Sequence, residues 1–94
     1  LLAPTPFGGP KKAESNARKH EVTFDEAVTA FRDPLSLLLS DPDHSVGEER
    51  YLVLGMSNQR RLLVVAVAER PPRTRLISAR RATPSERRRY EEES

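Results

Sequence analysis

Arg80 and Arg81 stand side by side where a predicted strand gives way to a predicted helix. Residues 75–80 fit the alternation of a pleated strand, and Thr83 with Glu86 forms the capping box that begins a helix. Arginine carries a planar fork of N–H donors that matches phosphate oxygens, and a strand end and a helix start would hold two such forks firmly. The pair is therefore a candidate phosphate-binding site. Two solvated surface charges account for the same pattern equally well.

A second candidate is His20, which follows Lys19 at the end of a predicted helix over residues 11–20. Histidine transfers protons near neutral pH, and the neighbouring lysine would supply positive charge beside it. Cations near a helix C-terminus also complement the helix dipole without any chemistry. The residues alone favour that structural role and leave the catalytic one open.

Glu69 closes a continuous apolar run that predicts a central strand, and Arg75 opens the next strand. A hairpin between these strands would bring the two side chains together, as an ordinary ion pair or as a proton-transfer carboxylate among arginines. Tyr90 near the chain's end could stack on a base, although packing is the favoured role. Residues 41–44, Asp-Pro-Asp-His, contain metal-ligand types but fit no strong metal motif, so no metal site is predicted.

Length and composition predict one small domain. The chain has 94 residues, of which 36% are hydrophobic, and it has no cysteine. The first 50 residues hold six Lys/Arg and nine Asp/Glu, whereas the other 44 hold ten and five, so the second half suits a polyanion. Apolar runs are too short for a membrane span, which makes a cytoplasmic protein the expectation. No glycine-rich phosphate loop, Ser-His-Asp order or His-Glu-x-x-His motif is present.

The pattern of elements predicts an α+β fold. We expect a loose arm over residues 1–10 and a single domain over 11–94, because prolines and glycines crowd the start. A second capping box, Thr23 with Glu26, begins a helix over 24–31. Three or four antiparallel strands follow, and the helices are expected to cover one face of their sheet. The strands are predicted at 35–39, 51–56, 62–68 and 73–80, and the closing helix at 83–92.

Residues 16–27, Asn-Ala-Arg-Lys-His-Glu-Val-Thr-Phe-Asp-Glu-Ala, resemble the N-x-x-K-H-G-V-x-F-x-E-A block of the BrnT-type toxins. The resemblance covers about residues 12–92, and several blocks in family order make it specific. The further blocks lie at residues 31–35, 41–45, 47–50, 77–83 and 86–91. Two departures stand out. The family's opening aromatic-x-Trp-Asp-x-x-Lys lacks its Trp and Asp here, and Glu21 replaces the usual glycine after Lys-His.

The resemblance implies a ribonuclease toxin of a type II toxin–antitoxin pair, with a fold like that of the RelE ribonucleases. Such a toxin is neutralised by a BrnA-like ribbon-helix-helix antitoxin, which alone contacts the operator DNA when the complex represses its operon. The implied chemistry is attack of a ribose 2′-OH on the adjacent phosphate, with no metal or other cofactor. The implied catalytic residues are Lys19, His20, Glu69, Arg75, Arg80 and Arg81, with His20 and Glu69 moving protons. Lys12 matches a lysine of the family and is expected to contact phosphate. With it, Arg87 and Arg88 from the basic cluster at the chain's end, and Tyr90 from its aromatic ring, are the candidate RNA-binding residues.

Two other functions remain open on the sequence. One is a catalytically weak toxin homologue that acts mainly as an antitoxin-binding co-repressor. The other is an RNA-binding module whose arginines hold the RNA backbone without cutting it.

Overall fold

The computed structural model describes residues 9–40, 49–70 and 72–93. Three helices and four strands occur in these ranges. Helix α1 begins two residues before the predicted start, β1 begins two residues later, and the other elements lie within two residues of their predicted bounds. The elements are α1 (Gly9–His20), α2 (Phe24–Phe31), β1 (Leu37–Ser40), β2 (Glu49–Met56), β3 (Leu62–Arg70), β4 (Arg73–Arg81) and α3 (Pro84–Glu93).

The four strands form one antiparallel sheet in the order β1-β2-β3-β4. This order is that of the chain, so each strand pairs with its neighbour in sequence and β4 forms an edge. A register shift between Ala66 and Val67 interrupts the pairing of β3 with β4. The predicted α+β fold with an antiparallel sheet is confirmed.

The two faces of the sheet are covered by different helices. On one face, Val53, Val65 and Ala79 pack beneath α1 and α2. On the other face, Leu54 and Val64 pack against Tyr90 of α3. Since neighbouring strand residues point to opposite faces, α3 lies across the sheet from the first two helices. The expectation that all helices share one face was wrong, because the large apolar ring of Tyr90 finds its core on the far side.

The two predicted capping boxes have different outcomes. The Thr83–Glu86 box is complete. Glu86 Oε1 accepts the N–H of Thr83 at 2.8 Å, and Thr83 Oγ1 accepts the N–H of Glu86 at 3.2 Å. In the Thr23–Glu26 box, Thr23 Oγ1 accepts the N–H of Glu26 at 3.1 Å. The Glu26 carboxylate makes its described hydrogen bonds to Ser57 and Arg61 instead of to the N–H of Thr23. The Thr23–Glu26 box is therefore only half formed.

The carboxylate of Glu26 is instead part of a buried ion pair. It is 3% exposed and accepts the Nε–H of Arg61 at 2.8 Å, with a second bond from Arg61 Nη2. The hydroxyl of Ser57 also donates to it, at 2.7 Å. Hydrogen bonding by Arg61 is the main cause that lowers the pKa of Glu26. This pair connects α2 to the turn between β2 and β3.

Helix α2 lies close to the sheet at Gly55. A Cβ atom added there would fall far inside van der Waals contact with the carbonyl oxygen of Ala30. Glycine therefore allows the helix backbone to approach β2 directly. No helix in the described part of the chain is long and apolar enough to cross a membrane.

Candidate functional site

Asn16 holds α1 against the edge strand β4. Its side chain is buried, and its amide nitrogen donates to the carbonyl oxygens of Ala79 at 3.0 Å and Val22 at 2.8 Å. Its Oδ1 atom accepts the N–H of Ala79 at 3.0 Å. One side chain thus satisfies both backbone groups of an edge-strand residue, as a further strand would. Lys19 and His20 follow three and four residues later, on the same side of the helix.

A groove of about 190 Å³ lies between the end of α1 and β4. Lys19 and His20 line it from the helix, and Ile77 and Ser78 line it from the strand. A cation, an imidazole and a serine together could bind a phosphate and move a proton. Sequence reasoning missed Ser78 as a site residue, although it belongs to the 77–83 block of the family resemblance.

Glu21, directly after His20, has a φ of 57°, in the left-handed region that side chains disfavour. Its N–H bonds to the carbonyl oxygen of Ala17 at 3.0 Å, so it ends α1 in the manner usually left to glycine. This geometry explains why the family pattern has glycine at this position. The departure at Glu21 therefore concerns backbone conformation next to the groove.

Arg80 and Arg81, at the end of β4, point to opposite faces of the sheet. Arg80 pairs in register with Val64 and forms two bonds to Glu86 of α3, at 2.8 and 2.9 Å. Arg81 pairs with Leu63, which belongs to the core beneath α1 and α2, and its own side chain is exposed. The two candidate phosphate forks therefore do not act as one clamp, because the pleat separates them.

The chain was compared with models of known protein families. A family model described as ribonuclease toxin, BrnT, of type II toxin-antitoxin system matches residues 9–86. The chain belongs to this family. No curated protein matches it closely enough to add to the comparison. The matched span of the BrnT family runs from the start of α1 into the first turn of α3, so it contains the groove and all of β4.

In this BrnT-family chain Glu69 and Arg75 are not cross-strand partners. The strands do pair as a hairpin, but Glu69 lies opposite Thr74 and Arg75 lies opposite Ala68. Adjacent rows of a sheet face opposite ways, so the two side chains lie on different faces. The proximity expected of Glu69 and Arg75 was wrong, because the tight turn sets the register one residue away from it.

Arg50 shares a row of the sheet with Arg75. Arg50 on β2 and Arg75 on β4 both lie opposite Ala68 of the central strand β3. The row therefore presents two guanidinium groups on either side of a small side chain, on the face that carries Arg80. Sequence reasoning did not single out Arg50 as a site residue. Its alternation with Leu52 and Leu54 was the signal that places it on this face.

The predicted RNA-binding residues take different positions. Arg87 and Arg88 are exposed on α3. Tyr90 is only 8% exposed and packs against the sheet, which is the favoured one of its two predicted roles and leaves little ring for a base. The side chain of Lys12 lies outside the described part of the structure.

In the ranges that the structure describes, no group of three His, Asp or Glu side chains is placed to hold a metal ion. The segment considered as a metal motif, residues 41–44, lies outside those ranges.

Proposed function

We propose that this chain is an endoribonuclease toxin that cleaves RNA along β4 without a metal ion. The observation that carries the proposal is the groove in which Lys19 and His20 lie beside β4, the edge strand that also carries three candidate arginines on its two faces. Arg75, Arg80 and Arg81 belong to β4, Glu69 pairs with its Thr74, and Lys19 and His20 share the groove with its Ile77 and Ser78. Membership of a ribonuclease toxin family supports RNA as the substrate.

The proposed reaction is an internal transfer at phosphorus. The 2′-oxygen of a ribose forms a bond to the adjacent phosphorus while the bond to the 5′-oxygen breaks, which leaves a 2′,3′-cyclic phosphate and a 5′-hydroxyl. A base takes the 2′-hydroxyl proton, and an acid gives a proton to the leaving 5′-oxygen. His20 is the proposed proton-transfer group beside Lys19, with Glu69 as the second candidate. Lys19, beside His20, and Arg80 are proposed to stabilise charge on the phosphorane. Arg75, farther along the same face of β4, and Arg81, on the opposite face, are proposed to hold neighbouring phosphates of the RNA.

Arg87 and Arg88 are proposed to extend the cationic surface for the RNA backbone, since both are exposed on α3. A small protein antitoxin is the proposed partner, as the type II family description implies. Its binding would oppose toxin activity, and operator DNA would be contacted through the antitoxin.

The test is cleavage of a single-stranded RNA by the purified chain in the presence of EDTA. We expect products ending in cyclic phosphate, and a loss of about a hundredfold or more in His20→Ala. Lys19→Ala and Arg75→Ala should also lower the rate. Arg18→Ala is the matched control for Lys19→Ala, because Arg18 is the adjacent cation, 82% exposed, in a surface pair with Glu14. A single 2′-deoxy substitution should block cleavage at that nucleotide only.

Loss of cleavage on adding EDTA, or products without cyclic phosphate, would contradict the proposed mechanism. A folded chain that binds an antitoxin and cuts no RNA would instead support the co-repressor function. Binding of RNA with neither cleavage nor antitoxin binding would support a simple RNA-binding module.

A further inference from the structure

The guanidinium group of Arg80 has a defined set of partners. Its Nη1 atom donates to Glu86 Oε1 at 2.8 Å and to the carbonyl oxygen of Arg81 at 3.2 Å. Its Nη2 atom donates to Glu86 Oε2 at 2.9 Å. Arginine has five N–H donors in a rigid plane, so these three bonds account for the end of the group and one flank.

The opposite flank of Arg80 consists of the Nε–H and the second N–H of Nη2. Neither makes a hydrogen bond to another described residue in the structure. These two donors are parallel and have the spacing of two oxygens of a phosphate. The side chain of Arg80 as a whole is 40% exposed.

Glu86, which orients the group, is itself held from several sides. It accepts the N–H of Thr83 in the capping box of α3, and its side chain is 25% exposed. One turn later on the same helix, Tyr90 anchors α3 by donating to Asp33. The hydrogen bond from Arg80 is the main cause that lowers the pKa of Glu86 to about 2, so the carboxylate stays charged at any working pH. The orientation of Arg80 is thus fixed by the fold before any ligand binds.

We propose that Glu86 is a positioning residue that turns the Nε–Nη2 flank of Arg80 toward the scissile phosphate. This inference rests on the proposed ribonuclease function and names a residue outside the set assigned to it. A donor pair that is already oriented stabilises a developing charge without reorganising during the reaction. Glu86 touches no reacting atom in this scheme and acts through Arg80 alone.

Glu86→Gln separates the two roles of this side chain, which are to cap helix α3 and to orient Arg80. Glutamine also completes a capping box, so the helix start is preserved. Its single oxygen cannot accept both terminal nitrogens of Arg80, and its NH₂ group repels one of them. We expect kcat to fall about tenfold and RNA binding to weaken as well, with a loss in kcat smaller than the hundredfold that losing a donor outright would cost. In an Arg80→Ala background, the same substitution should have no further effect on kcat.

Thr83→Ala is the control for helix capping. It removes the Thr83 hydroxyl that accepts the N–H of Glu86 but leaves the carboxylate and Arg80 in place. It should lower the melting temperature without lowering kcat. If Thr83→Ala and Glu86→Gln reduce kcat equally, Glu86 acts through helix stability and the proposal is wrong.

Two further results would overturn the proposal. Faster cleavage or tighter RNA binding by Glu86→Gln would mean that the carboxylate competes with phosphate for Arg80. Independent, multiplying effects of Arg80→Ala and Glu86→Gln would mean that the two residues do not act as a unit.

Binding to a 2′-O-methyl RNA, which cannot be cleaved, distinguishes failure of this proposal from failure of the ribonuclease function. If the wild-type chain cuts no RNA, weaker binding in both single variants with no added loss in the double variant still supports the positioning role. Absence of binding by the wild type, or binding that Glu86→Gln leaves unchanged, overturns it.

Discussion

The hydroxyl of Tyr90 donates a 2.5 Å hydrogen bond to Oδ2 of Asp33, 57 residues earlier in the chain. The same carboxylate accepts the N–H of Met56 at 2.8 Å and that of Leu35 at 2.9 Å. One side chain therefore joins the end of α2, the end of β2 and the closing helix. Burial is the largest single effect on the pKa of Asp33 and raises it, but the hydrogen bonds from Tyr90, Met56 and Leu35 together outweigh burial and lower the pKa below its usual value.

Removing the Tyr90 hydroxyl should detach α3 from this junction. Tyr90→Phe is expected to lower the free energy of unfolding by about 2 kcal/mol, because a hydrogen bond to a charged group is lost while the ring remains. Urea denaturation measures the loss. Tyr51→Phe is the matched control, since its hydroxyl bonds to Glu49 at an exposed site and should contribute under about 0.5 kcal/mol. Equal losses in the two variants would contradict the role given to Asp33.

The Arg80–Glu86 pair should give stability an acid-dependent part. The pKa of Glu86 is lowered from 4.5 to about 2, mainly by hydrogen bonding from Arg80, so the folded state prefers the charged carboxylate. Its contribution is complete above the unfolded pKa and is lost as pH falls from about 4.5 toward about 2. We expect the charged pair to contribute about 2 kcal/mol to the free energy of unfolding at neutral pH, after allowance for solvent screening.

The free energy of unfolding of the wild type and of Glu86→Gln, measured across this pH range, tests that expectation. The difference between the two proteins should shrink as pH falls. A difference that stays constant would show that the pair contributes no titratable stability.

Glu21 should be a site where glycine stabilises the protein. Its φ of 57° costs a side chain about 1 kcal/mol, and glycine adopts it without strain. Glu21→Gly is expected to raise the melting temperature by about 4 °C or more. Glu21→Ala is the control, because alanine keeps the Cβ atom that causes the strain. A gain of the same size in both variants would point to the removed charge instead of the backbone.

Glu26 should matter more to stability than the cap it was predicted to complete. Glu26→Ala leaves Arg61 and Ser57 without their buried acceptor, which costs about 3 kcal/mol or more. Thr23→Ala removes one capping bond and should cost about 1 kcal/mol. Urea denaturation of both variants gives the comparison. The reverse order would indicate a helix start that depends on the complete box.

Local signals in the sequence predicted the elements well, because capping residues and apolar runs act on their own neighbourhood. Thr83 and Glu86 form their box as expected, and the apolar run of residues 62–68 is the central strand. The Thr23–Glu26 box is incomplete because Arg61, 35 residues beyond Glu26, pairs with its carboxylate. No local pattern reports such a competitor.

The arrangement of the candidate site could not be predicted from the sequence, because it depends on strand register and on contacts between residues far apart in the chain. The register shift at Ala66 and Val67, and the tight turn beyond it, decide which residues of β3 and β4 face each other. The spacing of residues predicted the hairpin of β3 and β4. It did not predict that Glu69 and Arg75 lie on different faces of the sheet. The position of α3 likewise depends on Asp33, which no spacing near Tyr90 could indicate.

Asn16 should control both the order of the β4 edge and the geometry of the groove. Asn16→Asp keeps the size of the side chain and the acceptor for the Ala79 N–H, but it loses the two bonds donated to the Ala79 and Val22 carbonyls. The carboxylate would then face two carbonyl oxygens without protons to offer, at a cost of about 3 kcal/mol. Lys19 and His20 would separate from Ile77 and Ser78, so RNA cleavage should fall as well.

Hydrogen exchange provides the direct measurement of this role. The Ala79 amide bonds to a side chain, so its protection in the wild type should depend on Asn16 and drop in Asn16→Asp more than that of its strand neighbours. Glu14→Gln is the control on the same helix, because Glu14 is exposed and pairs only loosely with Arg18, at 4.0 Å. Unchanged protection of Ala79 together with full cleavage would show that α1 is held to β4 by other contacts.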